Sequence, residues 1–144
     1  MAAHTLLALI IAIVCVGYVT DRVMELLNLR RMHPALPERL RGFYDQERYA
    51  RSQAYLREKL RFGFIGSTLS FAASIVVLAT GALGMLDAWL RLYLADPFWL
   101  ALVFFGILAL ASDLLGMPFA LYNTFVIEAK YGFNKTTWKT WILD

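Results

Sequence analysis

Cysteine occurs once, at Cys15, so no disulfide can close within the chain. Charge is scarce as well: Asp, Glu, Lys and Arg make up 17% of the 144 residues, against about 25% in ordinary soluble domains. What fills the space is apolar. The residues AVILMFWYC account for 60%, and the mean hydropathy is +0.57. A soluble domain of this size has too much surface to hide so much apolar material. That excludes the ordinary soluble classes and makes the bilayer the natural solvent. Internal repeats and low-complexity segments are absent too.

A net charge of +3 and a pI near 9.2 would suit nucleic acid, but the placement of the cations argues against that partner. Ten of the fourteen Lys and Arg lie between Arg22 and Arg61, in one connection between apolar runs. Cytoplasmic loops of membrane proteins look this way. The stretch "AIVC" is a poor lipobox because Val14 precedes Cys15, which reads instead as a small lipid- or helix-facing residue.

The first apolar run, "HTLLALIIAIVCVGYVT", ends at Asp21. About twenty residues at 1.5 Å each cross the hydrocarbon. A secretory signal is the competing reading. The run has only His4 ahead of it as a basic residue and no A-x-A site behind it, which favours an uncleaved spanning helix. Residues 21–61 form a basic connection broken by Pro34, Pro37 and Gly42. Its second half has neither Gly nor Pro and sets Tyr49, Leu56 and Leu60 at helical spacing. It lies on the membrane surface or extends the next spanning helix. Nothing breaks the helix between Arg61 and Phe62, which favours the extension.

The run "FGFIGSTLSFAASIVVLATGALGML" carries no charge. Gly63, Ser67, Ser70, Ser74, Val77, Gly81 and Gly84 recur along it every three or four residues, a seam on which helices pack closely in lipid. The connection "DAWLRLYLAD" has one cation, Arg91, and several aromatic residues, which suits the non-cytoplasmic interface. A third long run opens at Pro97, a residue suited to a helix's first turn. Asp113 sits near its middle and Pro118 follows. On a 100° wheel Asp113, Gly116, Ala120 and Thr124 share a face, with Asn123 at its margin. A membrane carboxylate normally points into a bundle or a wet cavity.

These features predict an all-α, polytopic membrane helical bundle. It has about three transmembrane helices, over 3–29, 45–86 and 97–131, plus the start of a fourth near 137. The cations place the N-terminus outside, the 21–61 loop in the cytoplasm, 87–96 outside, and Lys130, Lys135 and Lys139 inside. In "EAKYGFNKTT", Gly132 suits a left-handed helix stop after Lys130. Asn134, Thr136 or Thr137 suits the cap of a new helix beginning "TWKTWILD". Asn134-Lys135-Thr136 also fits a glycosylation sequon, which the cytoplasmic placement disfavours.

The stretch "PFALYNTFVIEAKYGFNKTT", Pro118 to Thr137, closely resembles a segment of the type I CAAX prenyl proteases, integral-membrane zinc metalloproteases. "SQAYLREKLRFGF", Ser52 to Phe64, is similar to the stretch entering that family's second membrane helix. The likeness covers essentially the whole chain. Its most specific string is Phe125, Glu128, Gly132, Phe133, Asn134 and Lys135. The resemblance implies that 1–144 is the N-terminal membrane region, forming part of an intramembrane chamber wall. Asp113, Asn123, Glu128, Gly132, Phe133, Asn134 and Lys135 are then structural or chamber-lining. Glu128, Asn134 and Lys135 are expected to fasten the membrane helices to a catalytic region, with substrate contact as the other reading.

The departure from the family is equally plain. Its chemistry needs H-E-x-x-H on a helix plus a later Glu, to bind zinc and activate water. The histidines here are His4 and His33, neither with an i+4 partner. No catalytic or metal residue is expected in this chain and no cofactor bound by it, zinc being implied for the whole family protein. The implied partners are the bilayer, the catalytic region of the same protein and a prenylated or hydrophobic peptide substrate. Nucleic acid is not expected. The chain would sit in a bacterial inner membrane or the endoplasmic reticulum.

Two other classes compete. One is a complete small membrane scaffold or adaptor derived from the family. The other is part of a transporter, prompted by Asp113 and Pro118 in one helix. Ser67, Ser70 and Ser74 lack a base and read as packing residues, and Arg30 and Arg31 suit lipid phosphates. The protease reading predicts an open frame beyond codon 144 carrying H-E-x-x-H, the scaffold a stop there, and the transporter a solute flux sensitive to Asp113→Asn.

Overall fold

The computed structural model describes residues 2–33, 35–36, 42 and 45–143. Every regular element among them is helical. In chain order these are α1 (Ala2–Arg31), α2 (Gln46–Ala79), α3 (Ala82–Leu90), α4 (Pro97–Tyr122), a π-helical segment (Asn123–Glu128), α5 (Ala129–Tyr131) and α6 (Trp138–Leu143). Three stretches are long and apolar enough to cross a membrane: His4–Arg31, Gln46–Ala79 and Pro97–Tyr131. The all-helical class and the three spans agree with the sequence. Pro34 and Pro37, expected to break the 21–61 connection, lie outside the described residues, while Gly42 has a positive φ of 98°.

One helix over 45–86 is the expectation, but the helix stops at Ala79 and a second one begins at Ala82. The cause is local. Gly81 takes φ 70°, ψ 21°, a left-handed conformation that glycine adopts without a Cβ clash. Thr80 Oγ1 donates to the Val76 carbonyl at 2.7 Å as the helix ends. In α3, Arg91 donates from Nε to Asp87 Oδ2 at 2.7 Å and from Nη2 to Oδ1 at 3.1 Å. These bonds hold the Asp87 carboxyl below its ordinary value. A lowered carboxyl contributes stability at higher pH and loses it as pH falls through the lowered value. α4 starts on a proper cap: Asp96 Oδ1 accepts from the backbone N–H of Phe98 at 2.9 Å and of Trp99 at 3.2 Å. Pro97 takes the first helical position, where no N–H is needed.

The chain divides into two compact units, Met1–Asp21 with Gly66–Met117 and Arg22–Ile65 with Pro118–Asp144. In the first, Tyr18 stacks on Phe71 with ring centroids 4.1 Å apart, and its hydroxyl meets Thr68 Oγ1 at 2.7 Å. Burial among the described apolar residues is confined to Leu36, Leu90, Leu100 and Ile127. Large apolar side chains such as Ile13, Val76, Phe105 and Leu114 are exposed by 59% or more. In water that surface would be an aggregation liability. In lipid it is the normal outer face.

Among the described residues, a Cβ added at Gly63, Gly81 or Gly84 would meet nothing within 4 Å. Ser74 Oγ donates to the Ser70 carbonyl at 2.9 Å, which satisfies that hydroxyl inside its own helix.

The Tyr18 contact yields a graded test. Tyr18→Phe should cost about 1 kcal/mol by losing the hydroxyl bond, and Tyr18→Ala about 3 kcal/mol by also losing the ring. Unfolding of the purified protein in detergent measures both, and equal losses would contradict the stacked geometry.

Candidate functional site

The polar residues that the sequence singles out converge mainly in the second unit, where the winding of the chain changes. Pro118 lies inside α4, which continues past it to Tyr122. From Asn123 to Glu128 the backbone is π-helical. Such segments bond i to i+5, are rare, and recur at functional sites. In α winding, residues five apart point about 140° away from each other. The wider turn brings Asn123 and Glu128 to the same side, and Asn123 Nδ2 donates to Glu128 Oε1 at 3.0 Å. The face drawn on a 100° wheel through Asp113, Gly116, Ala120 and Thr124 therefore loses its register beyond Tyr122.

Glu128 Oε1 collects two further donors from α2. The Tyr55 hydroxyl and Lys59 Nζ each lie 3.4 Å away, and Lys59 also donates to the Tyr55 hydroxyl at 3.0 Å. One turn of chain away a second carboxylate repeats the arrangement. Glu58 Oε2 accepts from Lys130 Nζ and from the Tyr131 hydroxyl, both at 2.7 Å. Each segment thus supplies a carboxylate to the other. The charge pairs cross in both directions, Lys59 to Glu128 and Lys130 to Glu58. Tyr55 packs against Tyr131 at 5.7 Å and against Phe133 at 4.7 Å.

The turn that follows is stapled by the backbone. Gly132, at φ 77°, ψ 19°, donates to the Ala129 carbonyl at 3.1 Å, and Phe133 N–H donates to the Glu128 carbonyl at 2.9 Å. Those two bonds form a Schellman stop, with glycine in its usual left-handed place. Asn134 N–H adds a third bond, to the same Glu128 carbonyl at 3.2 Å. Asn134 Oδ1 in turn accepts from Thr136 N–H at 2.6 Å. Of the three possible caps for the next helix, Thr137 holds the position: its Oγ1 accepts from Thr140 N–H at 3.3 Å. Trp138, the first residue of α6, stacks on Phe125 at 3.8 Å.

The sequence-derived residues therefore separate. Asn123, Glu128, Gly132, Phe133 and Asn134 belong to one assembly. Lys135 is exposed with no polar partner among the described residues. Asp113 is exposed in the first unit, again without a partner among the described residues. Tyr55, Glu58, Lys59, Lys130 and Tyr131 are not among the site residues expected from the sequence, although three of them fall in the stretch "SQAYLREKLRFGF" and two in "PFALYNTFVIEAKYGFNKTT". That likeness was the available signal.

Chemically the assembly is an anchor. Its carboxylates accept bonds from cations and hydroxyls, and no histidine, cysteine or serine nucleophile sits among them. The described residues contain no group of three His, Cys, Asp or Glu placed to hold a metal. They do not fit a zinc site.

The chain has clear relatives. The family model described as CAAX prenyl protease N-terminal, five membrane helices, matches residues 25–144. CAAX prenyl protease 1 of Saccharomyces cerevisiae is 30% identical over 138 residues, covering 89% of this chain and 30% of that protein. The probable CAAX prenyl protease 1 of Schizosaccharomyces pombe is 34% identical over 129 residues, covering 81% of this chain and 27% of that one. A crystal structure of S. mikatae Ste24p superposes with a TM-score of 0.80 at 26% identity, covering 96% of this chain and 34% of that one. The chain spans about a third or less of the length of these relatives.

The two carboxylates should differ in weight. Glu128→Ala strands the Asn123 amide and should cost about 1–3 kcal/mol. Lys130→Ala breaks a pair whose lysine side chain is 57% exposed, and should cost less than about 1 kcal/mol. Gly132→Ala should cost about 1–2 kcal/mol, through backbone conformation alone because its Cβ would meet open space. Thermal unfolding in detergent ranks the three, and a neutral Glu128→Ala would remove the anchor reading.

Proposed function

This chain belongs to the CAAX prenyl protease family, to whose N-terminal membrane region it corresponds, and on that premise we propose that it forms part of the wall of an intramembrane chamber in a zinc metalloendopeptidase. The chemistry belongs to a region outside these residues. The chain's own contribution is to cross the bilayer, shape the chamber and hold the following helix in a fixed direction.

The observation that carries this reading is the anchored turn. Two reciprocal carboxylate contacts, a Schellman stop at Gly132 and the Phe125–Trp138 stack fix where the chain goes after Tyr131. A chain that has to present a later catalytic segment at a defined place needs such a fixed exit. Glu128 and Asn134 act as fasteners in this account, and exposed Lys135 faces the region they fasten. Asp113, exposed on α4, faces chamber water or a helix outside this chain. The absence of H-E-x-x-H from 1–144 is consistent with that division of labour.

The orientation follows from the cations. Residues 21–61 and the lysines from 130 onward lie on the cytoplasmic side, and 87–96 with the N-terminus lie opposite. The substrate proposed is a prenylated or similarly hydrophobic C-terminal peptide, and zinc is the metal of the whole protein.

The test uses the gene from its first codon to its own stop, expressed and purified in detergent. Chelator-sensitive cleavage of a farnesylated C-terminal peptide, by a product larger than 16.4 kDa, is the expected result. A 144-residue product that binds a partner and cleaves nothing would replace this reading with the scaffold.

A further inference from the structure

A cleft of 330 Å³ opens beside α2, lined by Ala50, Gln53, Ala54, Arg57, Glu58, Arg61 and Tyr131. Its volume falls at the lower end of the range for ligand sites, about 300–1,000 Å³. The anchor described above uses only one of its walls.

The charges in the cleft do not cancel. Glu58 is the acid of the lining, and its Oε2 is already taken by Lys130 Nζ and the Tyr131 hydroxyl. That lysine neutralises the carboxylate before either arginine does. Arg57 spends one donor, Nη2, on the Met32 carbonyl at 2.9 Å. A guanidinium has five donors, so most of its capacity remains. Arg61 is exposed and has no hydrogen bond or ion pair among the described residues. The cleft therefore carries two net positive charges from arginines one helical turn apart, with the Gln53 amide one turn further along the same face.

Its position in the chain matters equally. Arg61 is the last charged residue before the charge-free run that starts at Phe62. In a helix that crosses a membrane, that boundary is the depth of the lipid headgroups. Tyr131 lines the cleft from the other segment, and tyrosine is enriched at the same depth. Arginine in turn binds phosphate through its planar fork.

From the unspent guanidinium, the net charge and the depth, we propose that this cleft is a binding site for the phosphate of an anionic phospholipid headgroup. Arg61 is the principal ligand, Arg57 the second, and Gln53 a neutral donor. A bound lipid bridges the α2 and α5 sides of the cleft and adds to the hold of the Glu58 contact. Soluble inorganic phosphate offers the same oxygens but lacks acyl chains to place it at that depth.

The full protein in detergent, titrated with dihexanoyl phosphatidylglycerol while its thermal midpoint is followed, tests the assignment. The midpoint should rise with phosphatidylglycerol and stay flat with dihexanoyl phosphatidylcholine or inorganic phosphate at equal concentration. Arg61→Gln should weaken the apparent affinity at least five-fold. Lys139→Gln, which removes the same charge from exposed α6, should leave it unchanged. Ala54→Phe, which fills the cleft and keeps both arginines, should weaken binding as Arg61→Gln does and covers the case in which that variant fails to fold. Equal responses to phosphatidylcholine would overturn the site, as would full binding by Arg61→Gln or Ala54→Phe. An equal response to inorganic phosphate would overturn the lipid as its occupant.

Discussion

Glu128 is bound through both of its ends. Its backbone carbonyl accepts from Phe133 and Asn134, which closes the turn at Gly132. Its carboxylate accepts from Asn123, Tyr55 and Lys59, which ties that turn to α2. A regular α-helix would allow only part of this. Asn123 and Glu128 are five apart, so α winding would leave the amide and the carboxylate on different sides. The π segment is the constraint on which the arrangement rests. It stores an irregular stretch of backbone, and the polar contacts compensate for it.

The surrounding solvent explains why so much depends on a few polar residues. In water a domain is held by an apolar core, but here only four described apolar residues are buried and many large apolar side chains are exposed. Lipid does not drive helices together through hydrophobicity, so packing and hydrogen bonds must supply the specificity. The Tyr18–Phe71 stack and its Thr68 contact do so in one unit. The crossed Glu58–Lys130 and Lys59–Glu128 pairs do so in the other. Each polar pair has its partner supplied from a distant part of the chain.

That distance also explains what the sequence could tell. The spans were legible because they depend on length and composition alone. The helix stop at Gly132 was legible because Lys130, Gly132 and the Thr-rich stretch are local signals, and the structure only had to choose Thr137 among three possible caps. The break at Gly81 was missed, because a glycine within an apolar run reads equally well as a packing residue. The π segment was missed because a helical wheel assumes a constant 100° per residue. Tyr55, Glu58 and Lys59 were missed as site residues because their partners lie about seventy positions away, and no local spacing pairs them. The likeness to a known family marked both stretches without saying that they touch.

The claim that the π register makes the anchor is tested most directly by a double-mutant cycle on Asn123 and Glu128. Thermal stability would be measured in detergent for Asn123→Ala, Glu128→Ala and the pair. A coupling of about 0.5–3 kcal/mol is predicted, as for residues in direct contact. Additive losses would mean that the two side chains do not meet, and would return this stretch to an ordinary α-helix.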